Sequence, residues 1–192
     1  MADANVRDIL RVPGRLYLNP SDITADPPFG TGTAIGLTRD VEFRMGIRTG
    51  IVTAEEWGSA PVELVHSGES AVLACVLREW DDDALAATFV NTGTGAVSGN
   101  ATILGRVSGA GVNRAGYLIS TQSAVLVFAP LSLDGTPAHP MVILRKCLPL
   151  VEETAMLQMS LSEELGIAMV WQCIPDSSGR LYDVGARGDL TL

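Results

Sequence analysis

The chain has 192 residues, 47% hydrophobic and 18% charged, the balance of a folded globular domain and not of a disordered segment. Its 22 acidic residues outnumber 13 basic ones, and the net charge of −9 excludes recognition of nucleic acid through a basic phosphate-binding face. Cys75, Cys147 and Cys173 lie far apart in apolar runs without CxxC spacing, so they read as reduced core cysteines, neither a disulfide frame nor a zinc site.

Residues 1–14 read as an N-terminal arm, with Val6, Ile9 and Leu10 on one amphipathic turn that Pro13-Gly14 ends. This stretch lacks the apolar region of a signal peptide and no apolar run approaches membrane-spanning length, so the expected site of synthesis is a reducing cytoplasm. A short strand over 15–19 leads into PSDITADPPFGTGT, a Pro/Gly/Asp-rich loop long enough to call for a function or a packing partner. The next strand, 37–48, has Leu37, Val41, Phe43, Met45 and Ile47 on one parity, with Arg39 the exception. Thr38, Asp40, Glu42, Arg44 and Arg48 occupy the other. A half-buried strand of this length, twice the usual, is expected to project beyond its domain or line an extended surface.

An acidic loop carrying Glu55, Glu56 and Trp57 connects to the stretch 61–90, which reads as strand, tight turn, strand and short helix. The turn signal is Ser67-Gly68-Glu69-Ser70. The apolar run 71–77 suggests a strand covered on both faces. Asp81, Asp82 and Asp83 stand where a helix needs its N-terminal cap, and Leu85, Thr88 and Phe89 share one helical face. A Gly-rich region follows, with one strand at 102–107. Further strands are expected at 117–120, 123–129, 141–148, 154–161, 167–174 and 181–184, those at 123–129 and 141–148 pairing as a hairpin. No composition break divides the chain. It reads as one mainly β domain: two packed antiparallel sheets, as a sandwich or open barrel, flanked by one short α-helix.

Signals for chemistry are weak. His66 and His139 have no nucleophile beside them. The Gly-rich runs 30–36 and 93–99 lack GxGxxG spacing, and the sole lysine, Lys146, lies in an apolar strand. The three consecutive aspartates lack the alternation of a hard-metal loop. No catalytic residue, cofactor or metal is expected.

In order and spacing, Gly36, Thr38, Val41, Gly58, Pro61, Val62, Val65, Gly68, Glu69, Ala71 and Leu85 resemble the core pattern of tail tube proteins (major tail proteins) of long-tailed bacteriophages. PFGTGTAIG upstream looks like the opening of such proteins, and EELGIAMVWQCIPDSSGRLYDVG like their close. Together these cover about half the chain. The resemblance implies a structural virion protein, made in the host cytoplasm and resident in the tail. Hexameric rings would stack into a tube whose channel conducts phage DNA without specific binding. Its partners would be further copies of itself and other tail proteins (tape measure, terminator, baseplate), with no membrane contact. On that reading Asp40, Glu42 and Arg44 face the channel, an acidic lumen repels DNA phosphates, and Glu55, Glu56 and Trp57 on the 49–60 loop make inter-ring contacts. Within the same class a tail terminator, neck or capsid decoration protein is the alternative. From another class, the alternative is a soluble β-sandwich ligand-binding module.

Overall fold

A computed structural model describes residues 13–54, 60–78, 94–97, 101–104, 120, 123–131, 139–150 and 166–192. Nine strands occupy these residues: β1 (Gly14–Leu18), β2 (Thr33–Ala54), β3 (Ala60–Leu77), β4 (Thr94–Val97), β5 (Ala101–Leu104), β6 (Ala124–Pro130), β7 (Met141–Leu150), β8 (Ile167–Cys173) and β9 (Tyr182–Gly185). The strands β4 and β5 form a two-stranded ladder, and the other seven form one antiparallel sheet in the order β6-β1-β2-β3-β8-β7-β9. Because β6 also pairs with β7, that sheet closes on itself. The expected mainly β, antiparallel character and the β6–β7 hairpin are present. Instead of two separate packed sheets, the described residues form a single sheet whose ends meet. The expected helix, with Asp81–Asp83, and the strand 154–161 lie outside the described residues, as do the Trp57 loop and residues 1–12 of the arm.

Alternation explains the closure. Leu16, Leu73, Leu126, Leu144, Met169 and Trp171 point inward from five strands into one buried cluster. Their neighbours Tyr17, Val127, Ala129, Met141 and Ile143 point outward, which would expose an apolar wall. The loop 20–33 covers that wall by inserting Ile23 and Phe29, with Leu190 beside them. Strands β6 and β7 are thus buried on both faces, which is why they read as unbroken apolar runs.

Arg187 holds the covering loop in place. Its guanidinium donates to the carbonyls of Ile23 (3.0 Å), Thr24 (2.8 Å) and Ala25, and stacks 5.6 Å over the Phe29 ring. The phenylalanine ring meets Tyr17 edge-on at 4.8 Å. The long Pro/Gly/Asp loop therefore packs against its own domain.

Two sequence expectations fail at β3. Ser67-Gly68-Glu69-Ser70 is not a turn: β3 runs through it, and the register slips there, with Arg48 opposite Gly68 but Thr49 opposite His66. Gly68 adopts φ +145°, a backbone that a glycine in a strand provides at a bulge. The chain reversal lies instead between Ala54 and Ala60. The run 71–77 is also not fully covered. Ala71, Leu73, Cys75 and Leu77 are buried, while Val72, Ala74 and Val76 on the opposite face are half-buried.

Candidate functional site: the projecting β2–β3 hairpin

The two longest strands outrun their neighbours. Strand β1 pairs with β2 only over 33–38, and β8 pairs with β3 only over 72–77. Beyond those limits, among the described residues, β2 and β3 pair only with each other, out to Ala54 and Ala60. At about 3.3 Å per residue, 45–54 alone extends roughly 30 Å. A bare two-stranded ribbon is marginal in water, and both its outer edges carry backbone donors and acceptors that no other described strand pairs.

Its two faces differ. Cross-strand partners share a face, so Phe43/Leu73, Met45/Ala71, Ile47/Glu69, Thr49/His66 and Ile51/Leu64 form one stripe. At the base this stripe belongs to the barrel interior: Leu73 and Ala71 are fully buried and Phe43 packs against the same cluster. Tyr182 closes the barrel there, its ring 5.0 Å from Phe43 and its hydroxyl 3.0 Å from the Met45 sulfur. One step further out the stripe leaves the body while remaining apolar. Met45 is 66% exposed, Ile47 65%, Ile51 66% and Leu64 61%. Two ionisable groups interrupt it, His66 and Glu69, whose Nε2 and Oε1 lie 3.7 Å apart. Val62, near the ribbon tip, adds further exposed apolar surface.

The opposite face is mixed. It carries Glu42, Arg44, Gly46, Arg48, Gly50, Ser70 and Glu63, with Val72 near the base and the exposed Val65 and Val52 toward the tip. Arg44 clasps Glu42 through both nitrogens, Nε to Oε1 at 2.7 Å and Nη2 to Oε2 at 2.5 Å. This contact holds the Glu42 carboxyl below the usual range and the Arg44 guanidinium above its own.

Asp40, expected beside these two, sits apart. Between Arg39 and Glu42 the register gains a residue, and Asp40 takes the left-handed φ of 51° that a bulge residue requires. Its carboxylate is exposed, 3.6 Å from the Arg39 Nε. The bulge also inverts the parity of everything before it. Thr38, placed by simple alternation on the polar face, is 1% exposed and donates its hydroxyl to the Gly14 carbonyl at 3.0 Å. Arg39, the exception in the alternation, pairs with Val76 on the outer face.

Glu42 and Arg44 therefore share one exposed face, and Asp40 does not join their row. Glu55, Glu56 and Trp57 lie outside the described residues, in the connection between the two ribbon strands. The residues 49–54, read from sequence as loop, are strand. Ile51 and Leu64 were missed as functional candidates, although Thr49, Ile51 and Thr53 continue the parity of Met45 and Ile47.

No protein-family model matches the chain, and no curated protein matches it in sequence. Among the described residues no group of three or more His, Cys, Asp or Glu is placed to hold a metal ion, and no helix is long and apolar enough to cross a membrane.

Proposed function

We propose that this chain is a structural assembly protein, the tail tube subunit of a long-tailed bacteriophage, and that its working part is the β2–β3 ribbon. The carrying observation is the largely apolar stripe, interrupted at Glu69 and His66, that continues from the barrel core onto a ribbon with no covering layer among the described residues. Exposed apolar surface on a long, free-edged ribbon marks an association site. Copies related by a ring operator place the β3 edge of one ribbon beside the β2 edge of the next, which is again antiparallel. Ring closure then removes every edge at once.

In such a ring the apolar stripe faces the subunit bodies and the polar face, with Glu42 and Arg44, lines a water-filled channel. Arg39, Arg44 and Arg48 outnumber Glu42 and Glu63 on that face, so repulsion of DNA phosphate falls to acidic residues elsewhere in the chain. The connection holding Glu55, Glu56 and Trp57 stands at the ribbon tip, where it would meet the next ring. Tail-tube identity itself rests on the ordered sequence resemblance.

Electron microscopy of the purified full chain tests this reading. Rings or tubes with a central channel are expected. A species that stays monomeric at high concentration, with no particles on mixing with other tail components, contradicts it. A single closed ring that never stacks would favour the terminator role.

A further inference from the structure

The three cysteines are not equivalent. Cys147 of β7 and Cys173 of β8 are directly opposite each other in the ladder, and both point into the same core cluster. The next residue along, Ile174, donates its N–H to the Lys146 carbonyl at 2.8 Å, one position outside the pair on either strand. That bond is the signature of a non-hydrogen-bonded antiparallel pair, the closer of the two types, with Cα atoms about 4.5 Å apart. A disulfide spans Cα separations of roughly 4.4–6.8 Å. Both residues are free thiols.

We propose that Cys147 and Cys173 form a redox latch, a cross-strand disulfide that pins β7 to β8 when the folded protein meets a disulfide oxidant. The position gives the latch a purpose. At Cys147, strand β7 is paired on one side with Ala124 of β6 and on the other with Cys173 of β8, the run of pairings through which the sheet closes. Cys75 lies in the same cluster but pairs across the ladder with Met169, so it has no opposed thiol.

The chemistry is a two-step exchange. The Cys173 thiolate attacks a small-molecule disulfide such as oxidised glutathione, forming a mixed disulfide and expelling one thiolate. The Cys147 thiolate then attacks the Cys173 sulfur and expels the second. Two protein thiols are oxidised, one disulfide is reduced to two thiols, and the protons pass to them. Cys173 is the entry point, because the chain leaves the barrel immediately after it toward the exposed 176–180 turn. Before the second step Cys147 must release the hydrogen bond its Sγ makes to the Ala124 carbonyl at 3.2 Å. Burial pushes the Cys173 thiol up to about 12 and the Cys147 thiol well above its ordinary value, which slows the exchange; in a reducing compartment the excess of small-molecule thiol keeps the pair reduced.

The full chain, equilibrated with oxidised glutathione, is then denatured and labelled with a maleimide. One labelled cysteine is expected, Cys75, with a mass lower by two hydrogen atoms and a peptide map joining 147 to 173. The melting temperature should rise by roughly 5 °C. Cys75→Ala should keep the cross-link, and Cys147→Ala and Cys173→Ala should each abolish it. Should either variant fail to fold, the peptide map of the unmodified sequence decides alone. Three labelled cysteines, glutathione adducts without an internal bond, or a bond involving Cys75 would each overturn the proposal. None of these outcomes depends on whether the protein forms tubes.

Discussion

The strands β2 and β3 run through both the barrel and the ribbon, and the two regions differ in what lies beside those strands. Where β1 and β8 flank β2 and β3, the inward stripe is sealed at Leu73 and Ala71. Past those neighbours, residues of the same character and parity are two-thirds exposed at Met45, Ile47 and Ile51. Sequence chemistry does not change at the boundary; the supply of partners does. An apolar stripe that outlasts its partners is a surface waiting for another copy, and stability and assembly should therefore separate along β2 and β3.

The largest effect on stability belongs to the barrel. Trp171 is fully buried and its indole N–H has no hydrogen-bond partner among the described residues. Trp171→Ala should cost about 3–5 kcal/mol in urea unfolding. Trp171→Phe should cost clearly less, since it keeps much of the volume and removes an unpaired donor. If the two variants are equally destabilised, the indole N–H matters in a way the packing does not capture.

Next in size is the clamp on the covering loop. Arg187→Ala removes the donor to three carbonyls of the 20–33 loop and uncovers Phe29, and should cost about 1–3 kcal/mol. Hydrogen exchange should quicken in 20–33 and leave the ribbon unaffected.

The ribbon should behave in the opposite way. Ile51→Ser with Leu64→Ser should leave the unfolding free energy of the monomer within about 0.5 kcal/mol, because both side chains are already in water. Marked destabilisation of the monomer would mean the stripe is covered within one chain, which would erase the contrast between the two regions.

The smallest effect is local and pH-dependent. Asp176 accepts the backbone N–H of Arg180 at 2.8 Å and of Ser178 at 2.8 Å, and its carboxyl is held below its ordinary value of 3.8, first by the Arg180 backbone bond. A carboxyl depressed on folding stabilises above its unfolded pKa and loses that contribution as pH falls through the folded one. The 176–180 turn should therefore stay intact down to about pH 4 and loosen only below it, read from the amide shifts of Ser178 and Arg180. Asp176→Asn should remove the transition.

The sequence made the barrel strands legible because their burial repeats with period two, and the apolar runs of β6 and β7 signalled cover on both faces. It misled at two glycine-rich and charged points for one reason. Gly68 and Asp40 each carry the chemistry of a turn, yet both serve as bulges inside continuous strands, and a bulge is decided by the partner strand's register. The inverted parity at Thr38 follows directly. The ribbon's outer half was missed because 51–54 sits between Thr49-Gly50 and Glu55-Glu56, which read as loop. Its β-branched Ile51, Val52 and Thr53 were the available signal. That Glu42 and Arg44 share a face was readable by alternation; that Asp40 leaves their row was not.

The central claim, that the exposed stripe is the assembly surface, is most directly tested by electron microscopy of the Ile47→Ser, Ile51→Ser, Leu64→Ser triple variant beside the unmodified chain at equal concentration. The account predicts rings or tubes from the unmodified chain and folded monomers from the variant. Rings or tubes from both in equal number would contradict it.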